Sequence, residues 1–284
     1  MNVRIPALTQ RQVMATFPKR PRDSHKGSFG TVAVIGGAQG MAGAPLMAAR
    51  AALKLGAGCV HAGLLAENGP CVDFLQPELM LHGASAALKL HGVNVIAIGC
   101  GLGTSIAAQK LLYGALKQKA ALVLDADALN LLAKHADLQD DLRNRKAATV
   151  LTPHPGEAAR LLACGTNEIQ ADRVAAARKL AQRFACSVVL KGTDSLCATR
   201  DGRLFVNTTG NPGMSSAGMG DVLTGMIAAF IAQGLAADDA MLLAVHLHGA
   251  AGDALAAQHA RIGMTATEVT EWARWLLNQW QGKS

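Results

Sequence analysis

Aromatic residues are scarce in this sequence: Phe, Trp and Tyr together make up 4% of its 284 residues, with a single Tyr. Proteins that hold single-stranded nucleic acid stack its bases on aromatic side chains, so a surface of that kind would be hard to build here. Charged residues are also few, at 17%, whereas 50% of the residues are hydrophobic. This balance excludes an intrinsically disordered chain, because apolar burial is large enough to offset the loss of chain entropy. The sequence predicts a globular protein with an aliphatic core.

The sequence lacks a long run of positive charge, although it is basic overall. Its 27 Lys and Arg residues against 20 Asp and Glu residues give a formal net charge of +7 at pH 7. Basic residues cluster only at Lys19, Arg20, Arg22 and Lys26, which is too short for the basic arm of a nucleic-acid-binding protein. A positive net charge favours anionic ligands. We therefore expect a small anionic substrate and no nucleic acid.

Paired cysteines, a signal peptide and a membrane-spanning stretch are missing as well. The six cysteines contain no C-x-x-C pair, so we expect them to be small core residues in a reducing cytoplasm. Charges and prolines occupy the first 28 residues, where a signal peptide needs an apolar stretch. The longest apolar stretch, residues 222–237, is shorter than the roughly 20 residues that cross a bilayer. We expect a soluble, cytoplasmic protein without a membrane segment.

After residue 28, short β-rich apolar runs alternate with alanine- and leucine-rich stretches of helical periodicity. This alternation is typical of βαβ units, which build a mostly parallel sheet covered by helices on both faces. The Asp-Gly pair at residues 201–202 lies between two short β-rich runs and predicts a hairpin at the end of the sheet. Without a linker or an internal repeat, residues 1–284 are predicted to form one α/β domain. The predicted strands are 31–35, 59–65, 93–98, 122–124, 148–151, 187–190, 195–199 and 203–207, and the predicted helices are 45–55, 105–119, 128–134, 155–163, 168–184, 221–233, 240–258 and 267–280.

The first glycine-rich loop, residues 35–44, occupies the place of a dinucleotide-binding fingerprint, between a predicted strand and a predicted helix. It does not match that fingerprint, because Ala38 stands where the pattern after Gly36 requires glycine. The acidic residue that would bind a ribose about 20 residues later is also missing. A Rossmann oxidoreductase is therefore disfavoured. Glycines still allow backbone amides to approach a ligand closely, so the loop is either part of a site or a plain tight turn.

The strongest signal is the segment 207–225, where glycines at 210, 213, 218 and 220 lead directly into an apolar helix. The unpaired amides of the first helical turn and the helix dipole converge near residues 217–221, which predicts an anion hole. Such a hole stabilises the charge that develops on a phosphoryl group during transfer. Asp221 stands on this first turn, either as a base or as a cap that complements the dipole. We favour the base, because a cap does not explain the preceding glycines.

Three further segments place polar side chains where predicted strands end, which is where open α/β sheets bind ligands. His154 lies between two prolines and is either a site residue or a structural one. Asp125, Asp127 and Asn130 either organise Mg²⁺ through waters or cap the following helix. Residues 191–195 either contact a nucleotide or form an ordinary β-turn with a solvated lysine. If they contact a nucleotide, replacing that lysine with alanine should weaken nucleotide binding and leave the melting temperature nearly unchanged.

Two histidines also lie close together in the sequence without predicting a site. His246 and His248 are two residues apart on a predicted helix, so their side chains point to different faces. A metal site made from this pair is therefore not expected, and no other residue is assigned as a metal ligand.

Six motifs occur in order along the chain and together resemble a known family. From about residue 8 to residue 276, the chain is similar to the ADP/ATP-dependent NAD(P)H-hydrate dehydratases of the ribokinase-like fold. Cys100 departs from the family pattern, in which proline is more usual, and Ala217 replaces a frequent glycine. The motifs are His-Lys-Gly-Ser-Phe-Gly at 25–30, Gly-Cys-Gly-Leu-Gly at 99–103, Asp-Ala-Asp-Ala-Leu-Asn at 125–130, Thr-Pro-His-Pro-Gly-Glu at 152–157, Val-Leu-Lys-Gly at 189–192, and Gly-Asn-Pro-Gly with Gly-Met-Gly-Asp-Val-Leu-Thr-Gly within 210–225.

This resemblance implies a ribokinase-like three-layer sandwich and a lyase with kinase ancestry. The family returns the 6-hydroxylated (S)-hydrates of NADH and NADPH to the reduced cofactors and couples this loss of water to nucleotide hydrolysis. It implies that Asp221 is catalytic and also contacts the substrate. Further substrate contacts are implied at Ala44, Gly101 and His154, and nucleotide contacts at Lys191, Gly192, Thr193, Asp194, Ser195 and Gly220.

The resemblance also implies what the protein works with. ADP or ATP would be the co-substrate and Mg²⁺ the cofactor, and the protein would be a homo-oligomer, expected to be a homotetramer. A separate NAD(P)H-hydrate epimerase is expected, since only about 28 residues precede the first predicted strand. One alternative is a small-alcohol kinase of the hydroxymethylpyrimidine or hydroxyethylthiazole type, which would use the same loop and the same aspartate. Another is a nucleotide sensor without catalytic activity.

Overall fold

The structure, a computed structural model, describes residues 5–259 and 261–282, and it consists of alternating strands and helices. Two short 3₁₀ helices, Lys26–Phe29 and Pro212–Met214, lie between the regular elements. The strands are β1 (Thr31–Gly36), β2 (Cys59–Leu64), β3 (Met80–Gly83), β4 (Val95–Ile98), β5 (Ala121–Leu124), β6 (Thr149–Leu151), β7 (Ser187–Leu190), β8 (Ser195–Ala198) and β9 (Leu204–Asn207). The α-helices are α1 (Gln10–Met14), α2 (Gly43–Lys54), α3 (Ala84–Ala87), α4 (Ile106–Leu116), α5 (Asp127–Lys134), α6 (Ala136–Arg143), α7 (Pro155–Leu162), α8 (Thr166–Ala171), α9 (Arg173–Phe184), α10 (Met219–Ala232), α11 (Ala237–Gln258) and α12 (Ala266–Gln281).

All nine strands belong to one sheet, in the order β3-β2-β1-β4-β5-β6-β7-β8-β9. Neighbouring strands from β3 to β7 are parallel, whereas β8 and β9 are antiparallel to their neighbours. The mostly parallel sheet and the terminal antiparallel hairpin are therefore confirmed. The single-domain assignment over residues 1–284 stays a prediction, and its ends and residue 260 lie outside the described residues.

Helices cover both faces of the sheet because successive strand residues point to opposite sides. On β1, Val32 and Val34 pack into one core with α2, α10, α11 and α12, while Ala33 and Ile35 pack into a second core with α3 to α9. Both cores are aliphatic and alanine-rich, as the composition predicts. The result is a three-layer α/β/α sandwich, which confirms the predicted fold class.

Helix α10 is held unusually close to α2, and this contact fixes the position of its amino end. A Cβ atom on Gly225 would lie 2.0 Å from the carbonyl oxygen of Ala48, a separation that no side chain tolerates. Glycine therefore allows the two backbones to touch at this point. The contact lies just over one helical turn after Asp221, so it sets where the first turn of α10 meets the sheet.

Helix α11 is long and apolar enough to cross a membrane by length and composition alone, with a mean hydropathy of 1.3 over its best window. However, 67% of that window is buried inside the protein. The helix therefore belongs to one of the two covering layers, where a continuous apolar surface is expected.

The structure differs from the predicted elements at several places. Residues 168–184 were predicted as one helix, but the chain breaks at Asp172, whose side chain caps α9 by accepting a hydrogen bond from the Ala175 amide at 2.8 Å. Strand β3 and helices α1, α3 and α6 were not predicted, because each is only four to eight residues long and contains at most two large apolar residues. In the hairpin, Gly202 adopts a positive φ and Asp201 does not. Among the cysteines, Cys71 is exposed and is not a core residue.

Candidate active site

A cavity of about 440 Å³ opens where the second half of the chain meets the carboxyl edge of the sheet. It is bounded by the turn after β7, the segment after β9, the start of α10 and one face of α11. Such a volume suits a nucleotide or a similar ligand. All six residues to which the sequence assigns nucleotide contacts line it: Lys191, Gly192, Thr193, Asp194, Ser195 and Gly220.

The turn formed by residues 191–195 is rigidly held from behind. The Ser195 hydroxyl donates to the carbonyl oxygen of Gly192 at 2.9 Å, and Asp194 adopts a positive φ of 53°. The Arg173 guanidinium on α9 donates to the carbonyls of Leu190, at 3.2 Å, and of Thr193. These bonds fix the shape of the turn.

Lys191 is not a solvated turn lysine. Its Nζ lies 2.6 Å from Oδ1 of Asp125 and 4.0 Å from Oε2 of Glu157, and its side chain is only 20% exposed. Burial lowers the pKa of Lys191, but the two carboxylates outweigh it and raise that pKa above its usual value. Removing the lysine would leave two buried carboxylates uncompensated. The expectation of an unchanged melting temperature therefore does not hold for this structure.

The segment after β9 is held by α11. Oδ2 of Asp253 accepts the amide of Gly210 at 2.8 Å, and Oδ1 accepts the side-chain amide of Asn211 at 3.0 Å. The other atom of that amide group, Oδ1 of Asn211, accepts the Gly213 amide at 3.0 Å. This network presents residues 207–215 as a wall of the cavity.

The predicted anion hole coincides with the first turn of α10. The helix begins after Gly218, which has a φ of 91°, and no side chain caps this end. The first amides of a helix have no partner inside it, and Met219 and Gly220 line the cavity. The amino end of a fourteen-residue helix therefore faces the space in which an anion would be bound.

Asp221 lies on the same turn, next to the loop that follows β4. Its carboxyl group accepts a hydrogen bond from the thiol of Cys100. Burial is the main cause that raises the pKa of Asp221 above its usual value, and the nearby charge of Asp125 adds to it. Burial likewise raises the pKa of the Cys100 thiol, so this group stays protonated and donates. A carboxylate with a raised pKa beside an anion site is suited to accept a proton.

The predicted substrate contacts Ala44 and Gly101 lie next to each other and do not line the nucleotide cavity. A Cβ atom on Gly101 would be 3.2 Å from Cβ of Ala44. The glycine-rich loop after β1 is joined to this region, since the amides of Gly37 and Ala38 donate to the carbonyls of Cys100, at 3.1 Å, and Gly101, at 2.7 Å. The loop is therefore part of the site's framework.

His154 caps α7 and lies beside Lys191. Its Nδ1 accepts the amides of Gly156 at 3.0 Å and Glu157 at 3.3 Å, and half of its side chain is exposed. Burial, followed by the charges of Lys191 and Arg160, lowers the pKa of His154. The imidazole is therefore neutral at pH 7. His154 does not line the cavity of 440 Å³, and its contact with the other substrate stays a prediction.

Asp127 has a structural role in this structure. Its Oδ2 accepts the Gly103 amide at 2.8 Å, and its Oδ1 accepts the side-chain amide of Asn130 at 3.2 Å. Asp125 is likewise committed, to Lys191 and to the hydroxyl of Thr224, which donates to Oδ2 at 3.0 Å. Within residues 5–259 and 261–282, no group of three or more His, Cys, Asp or Glu side chains is arranged to hold a metal ion.

Several residues that build the site were not assigned by sequence reasoning. Asp125 was considered only for Mg²⁺ or capping, and Glu157, Arg173 and Asp253 were not singled out. His248 was considered only as half of a metal pair, yet it lines the cavity. The available signal was its polar side chain in an apolar helix beside Gly249.

A second cleft, of about 580 Å³, lies at the opposite, amino edge of β7 and contains none of the predicted site residues. It is lined by Arg178, Gln182, Thr199 and Arg200 among others. The candidate active site is therefore at the carboxyl edge, where the polar side chains and the anion hole meet.

Comparison with known proteins identifies the family. The family model described as NAD(P)H-hydrate dehydratase matches residues 32–274. The chain is 45% identical over 268 residues to an ADP-dependent (S)-NAD(P)H-hydrate dehydratase of Neisseria meningitidis, covering 93% of this chain and 90% of that protein. It also matches bifunctional NAD(P)H-hydrate repair enzymes, of which it spans about half the length.

Solved structures show the same likeness. The ADP/ATP-dependent NAD(P)H-hydrate dehydratase of Bacillus subtilis, co-crystallized with ATP/Mg²⁺, superposes with a TM-score of 0.87 at 31% identity over 99% of both chains. A ribokinase-like superfamily protein of Enterococcus faecalis superposes with a TM-score of 0.84 at 28% identity, over 97% of this chain and 96% of that one. These matches confirm the ribokinase-like fold, and together with the family model they show that this chain belongs to the NAD(P)H-hydrate dehydratase family of enzymes.

Proposed function

We propose that this chain dehydrates the (6S)-hydrates of NADH and NADPH and couples the reaction to hydrolysis of ADP to AMP, or of ATP to ADP, and phosphate. The observation that carries the proposal is the placement of Asp221. Its carboxylate lies on the first turn of α10, between the cavity lined by the nucleotide residues and the loop that holds Gly101. A substrate hydroxyl bound beside Gly101 would therefore face both a base and a terminal phosphoryl group.

Asp221 serves the first step, because hydroxide is a poor leaving group. The substrate hydroxyl gives its proton to Asp221, and its oxygen attacks the terminal phosphorus of the nucleotide. A new O–P bond forms while the bond to the departing AMP, or ADP when ATP is used, breaks. The amides at the start of α10 stabilise the charge that develops on the phosphoryl oxygens.

The second step needs no further cofactor. The ring nitrogen of the phosphorylated hydrate donates its lone pair, and the C6–O bond breaks with its electrons leaving on phosphate. Loss of the C5 proton then restores the dihydronicotinamide. The sum is one hydrate and one nucleotide giving one NADH or NADPH, one AMP or ADP, one phosphate and a proton.

Lys191 brings a fixed positive charge to the same place. A Cβ atom on Gly220 would lie 3.3 Å from Nζ of Lys191 and 3.4 Å from Oδ2 of Asp125. The ammonium group therefore lies at the start of α10, where it favours the bound phosphates. Asp125 and Glu157 hold that ammonium group in position and keep it protonated.

Mg²⁺ is part of the proposal only as an ion that arrives with the nucleotide. Mg²⁺ commonly keeps several waters and binds through substrate phosphates and one or two carboxylates, so the lack of a three-ligand cluster among the described residues is compatible with it. Of the nearby carboxylates, Asp125 is already paired with Lys191 and Thr224. Glu157 accepts the His154 amide at 2.8 Å and lies beside Lys191, so the ion would be held mainly by the phosphates. Bound there, the ion would neutralise phosphate charge.

The expected biological setting also belongs to the proposal. An epimerase would supply the reacting (S)-hydrate, and the chain's similarity to one half of bifunctional repair enzymes supports such a pairing. A cytoplasmic location is supported by the lack of a paired-cysteine motif in the sequence. A homotetramer is supported only by the family resemblance.

The test is to supply hydrated NADH, ADP and Mg²⁺ and to follow dihydronicotinamide absorbance and released phosphate together. The proposed function predicts that NADH and phosphate appear in equal amounts. Accumulation of a phosphorylated alcohol without NADH would instead indicate a kinase. ADP binding without any turnover would indicate a nucleotide sensor.

A further inference from the structure

We propose that His248 is a nucleotide-binding residue, which hydrogen-bonds the bound adenine nucleotide through a nitrogen of its imidazole ring. This inference deepens the proposed function and rests on it, since it requires the cavity of 440 Å³ to be the nucleotide site. It assigns a role to a side chain that lies on α11, far in sequence from the motifs that mark the rest of the site.

The first observation is the position of His248 in the cavity. His248 lines the cavity together with Lys191 and Gly220, which lie near the first turn of α10. Leu223 and Val245 also line it. The last two are apolar, so His248 is a polar group set into an otherwise apolar part of the wall. Small-molecule sites commonly have this composition, with a few polar groups that fix the orientation of the ligand.

The second observation is an unpaired atom. Nε2 of His248 is buried and has no hydrogen-bond partner among the residues that the structure describes. Buried polar atoms without a partner are rare in folded proteins because each costs free energy. A group from a bound ligand would supply the missing partner.

His246, two residues away and on a different face of the same helix, shows the contrast. Its Nδ1 is paired with Oδ1 of Asn207 at 3.3 Å, and its ring packs near that of Trp280. His246 does not line the cavity. One ring nitrogen of His246 is thus paired within the protein, whereas neither ring nitrogen of His248 is paired among the described residues.

The charge state of His248 decides what kind of contact it makes. Burial, together with the charge of Lys191, lowers the pKa of His248 to about 4. The imidazole is therefore neutral at pH 7, with one nitrogen as donor and the other as acceptor. It adds a directional hydrogen bond to a ligand whose charge Lys191 and the α10 amides already balance.

Three substitutions test the assignment, with ADP binding measured by calorimetry in the absence of hydrate. His248→Phe keeps a ring of similar size and removes both nitrogens. His248→Gln places an amide group near the position of Nε2, whereas His248→Asn places one near Nδ1. We expect His248→Phe to weaken ADP binding roughly tenfold or more, and the amide that reaches the position of the contacting nitrogen to retain most of the affinity.

Melting of the free protein distinguishes a ligand contact from a structural role. Because Nε2 is unpaired without ligand, His248→Phe should melt at the parent temperature or above it. His246→Phe is the matched control, since it breaks a pairing within the protein: it should lower the melting temperature and leave ADP affinity near the parent value. A His248→Phe protein that melts lower but binds ADP normally would overturn the proposal.

The remaining outcomes are also decisive. A loss of affinity in both His248→Gln and His248→Asn as large as that in His248→Phe would contradict a hydrogen bond from the ring. A parent protein that does not bind ADP at all would contradict the proposed function. If His248→Phe binds ADP as tightly as the parent protein does, only the role of His248 is contradicted.

Discussion

Two helices, α5 and α10, start at the same edge of the sheet and carry an aspartate in their first turn, but they use it differently. Asp127 on α5 accepts hydrogen bonds from the Gly103 amide and from the Asn130 side chain. Asp221 on α10 is paired with the Cys100 thiol and has a raised pKa. The same residue type at the same kind of helix end is structural in one case and suited to proton transfer in the other.

The difference comes from what faces each carboxylate. Asp127 faces the loop after β4, whose Gly103 amide needs an acceptor. Asp221 faces the space between that loop and the cavity. If a strong donor such as a backbone amide were bonded to it there, the pKa of Asp221 would be lower and Asp221 would be a weaker base. A weak donor such as a thiol orients the carboxylate with a smaller effect on its basicity. The surroundings of a first-turn aspartate therefore decide its role, and not its position alone.

The largest expected effect is that of Asp221→Asn on turnover. Asparagine caps helices about as well as aspartate, but it cannot accept the hydroxyl proton. We expect kcat for regeneration of NADH to fall by about 10²–10⁴. ADP affinity should be retained or improved, since a carboxylate beside a polyphosphate is repulsive.

The stability of the same variant provides its control. The raised pKa of Asp221 means that its charged form is disfavoured in the folded state, so its contribution destabilises the protein above that pKa and is relieved at lower pH. Asp221→Asn should therefore melt at the parent temperature or higher at pH 7. A variant that melts well below the parent would show that Asp221 is mainly structural.

The next effect concerns Lys191, which links the nucleotide cavity to the buried carboxylates. Lys191→Met should reduce the free energy of unfolding by about 3 kcal/mol, because it leaves Asp125 and Glu157 without a counter-charge. It should also weaken ADP binding at least tenfold, roughly the value of a charge-assisted hydrogen bond. The double variant Lys191→Met, Asp125→Asn should recover part of the lost free energy of unfolding, measured by chemical denaturation. It should recover none of the lost ADP affinity, measured by calorimetry. Full stability in the single variant would contradict the ion-pair account.

A smaller effect is expected at His154, which caps α7 and for which we predict a contact with the hydrate. His154→Ala should raise the KM for the hydrate more than the KM for the nucleotide, and it should lower stability by about 1 kcal/mol through loss of the cap. His154→Asn retains a capping side chain, so it should separate the two effects by keeping stability and losing hydrate affinity. The reverse order of KM changes would place His154 on the nucleotide side.

The smallest effect on turnover should come from Asp127→Asn, the counterpart of Asp221→Asn. This change weakens the acceptor of the Gly103 amide and should cost about 1 kcal/mol of stability. Because Asp127 takes no part in proton transfer, kcat should stay near the parent value. A loss of kcat comparable to that of Asp221→Asn would remove the distinction between the two helices.

Much of the fold follows from local patterns in the sequence. The strands that form the centre of the sheet are short apolar runs, and the helices between them have a clear apolar period, so both can be predicted with few errors. Edge strand β3, with the sequence Met-Leu-His-Gly, is only partly buried and has no such pattern. The break at Asp172 depends on a single capping hydrogen bond, which competes with an otherwise continuous helical period.

The sequence predicts the parts of the site that need glycine-rich backbone. It does not predict the parts that depend on contacts between residues far apart in the sequence. The glycines before α10 indicate an anion hole in the sequence itself. In contrast, the pairing of Lys191 with Asp125 joins residues 66 positions apart, and the unpaired Nε2 of His248 becomes apparent only in three dimensions. The assignments of individual residues to substrate or nucleotide stay predictions until the variants are measured.

The most direct test of the account is the pH dependence of kcat/KM for the hydrate in the parent enzyme and in Asp221→Asn, at saturating ADP. A base works only when deprotonated, so parent activity should fall as pH decreases through the pKa of Asp221, which lies above the usual range of an aspartate because the carboxyl group is buried. The residual activity of Asp221→Asn should not decrease with pH in this way. Any titration of the nucleotide itself affects both proteins equally, so the comparison between them removes it. The same acidic fall in both proteins would contradict the role of Asp221 as the base.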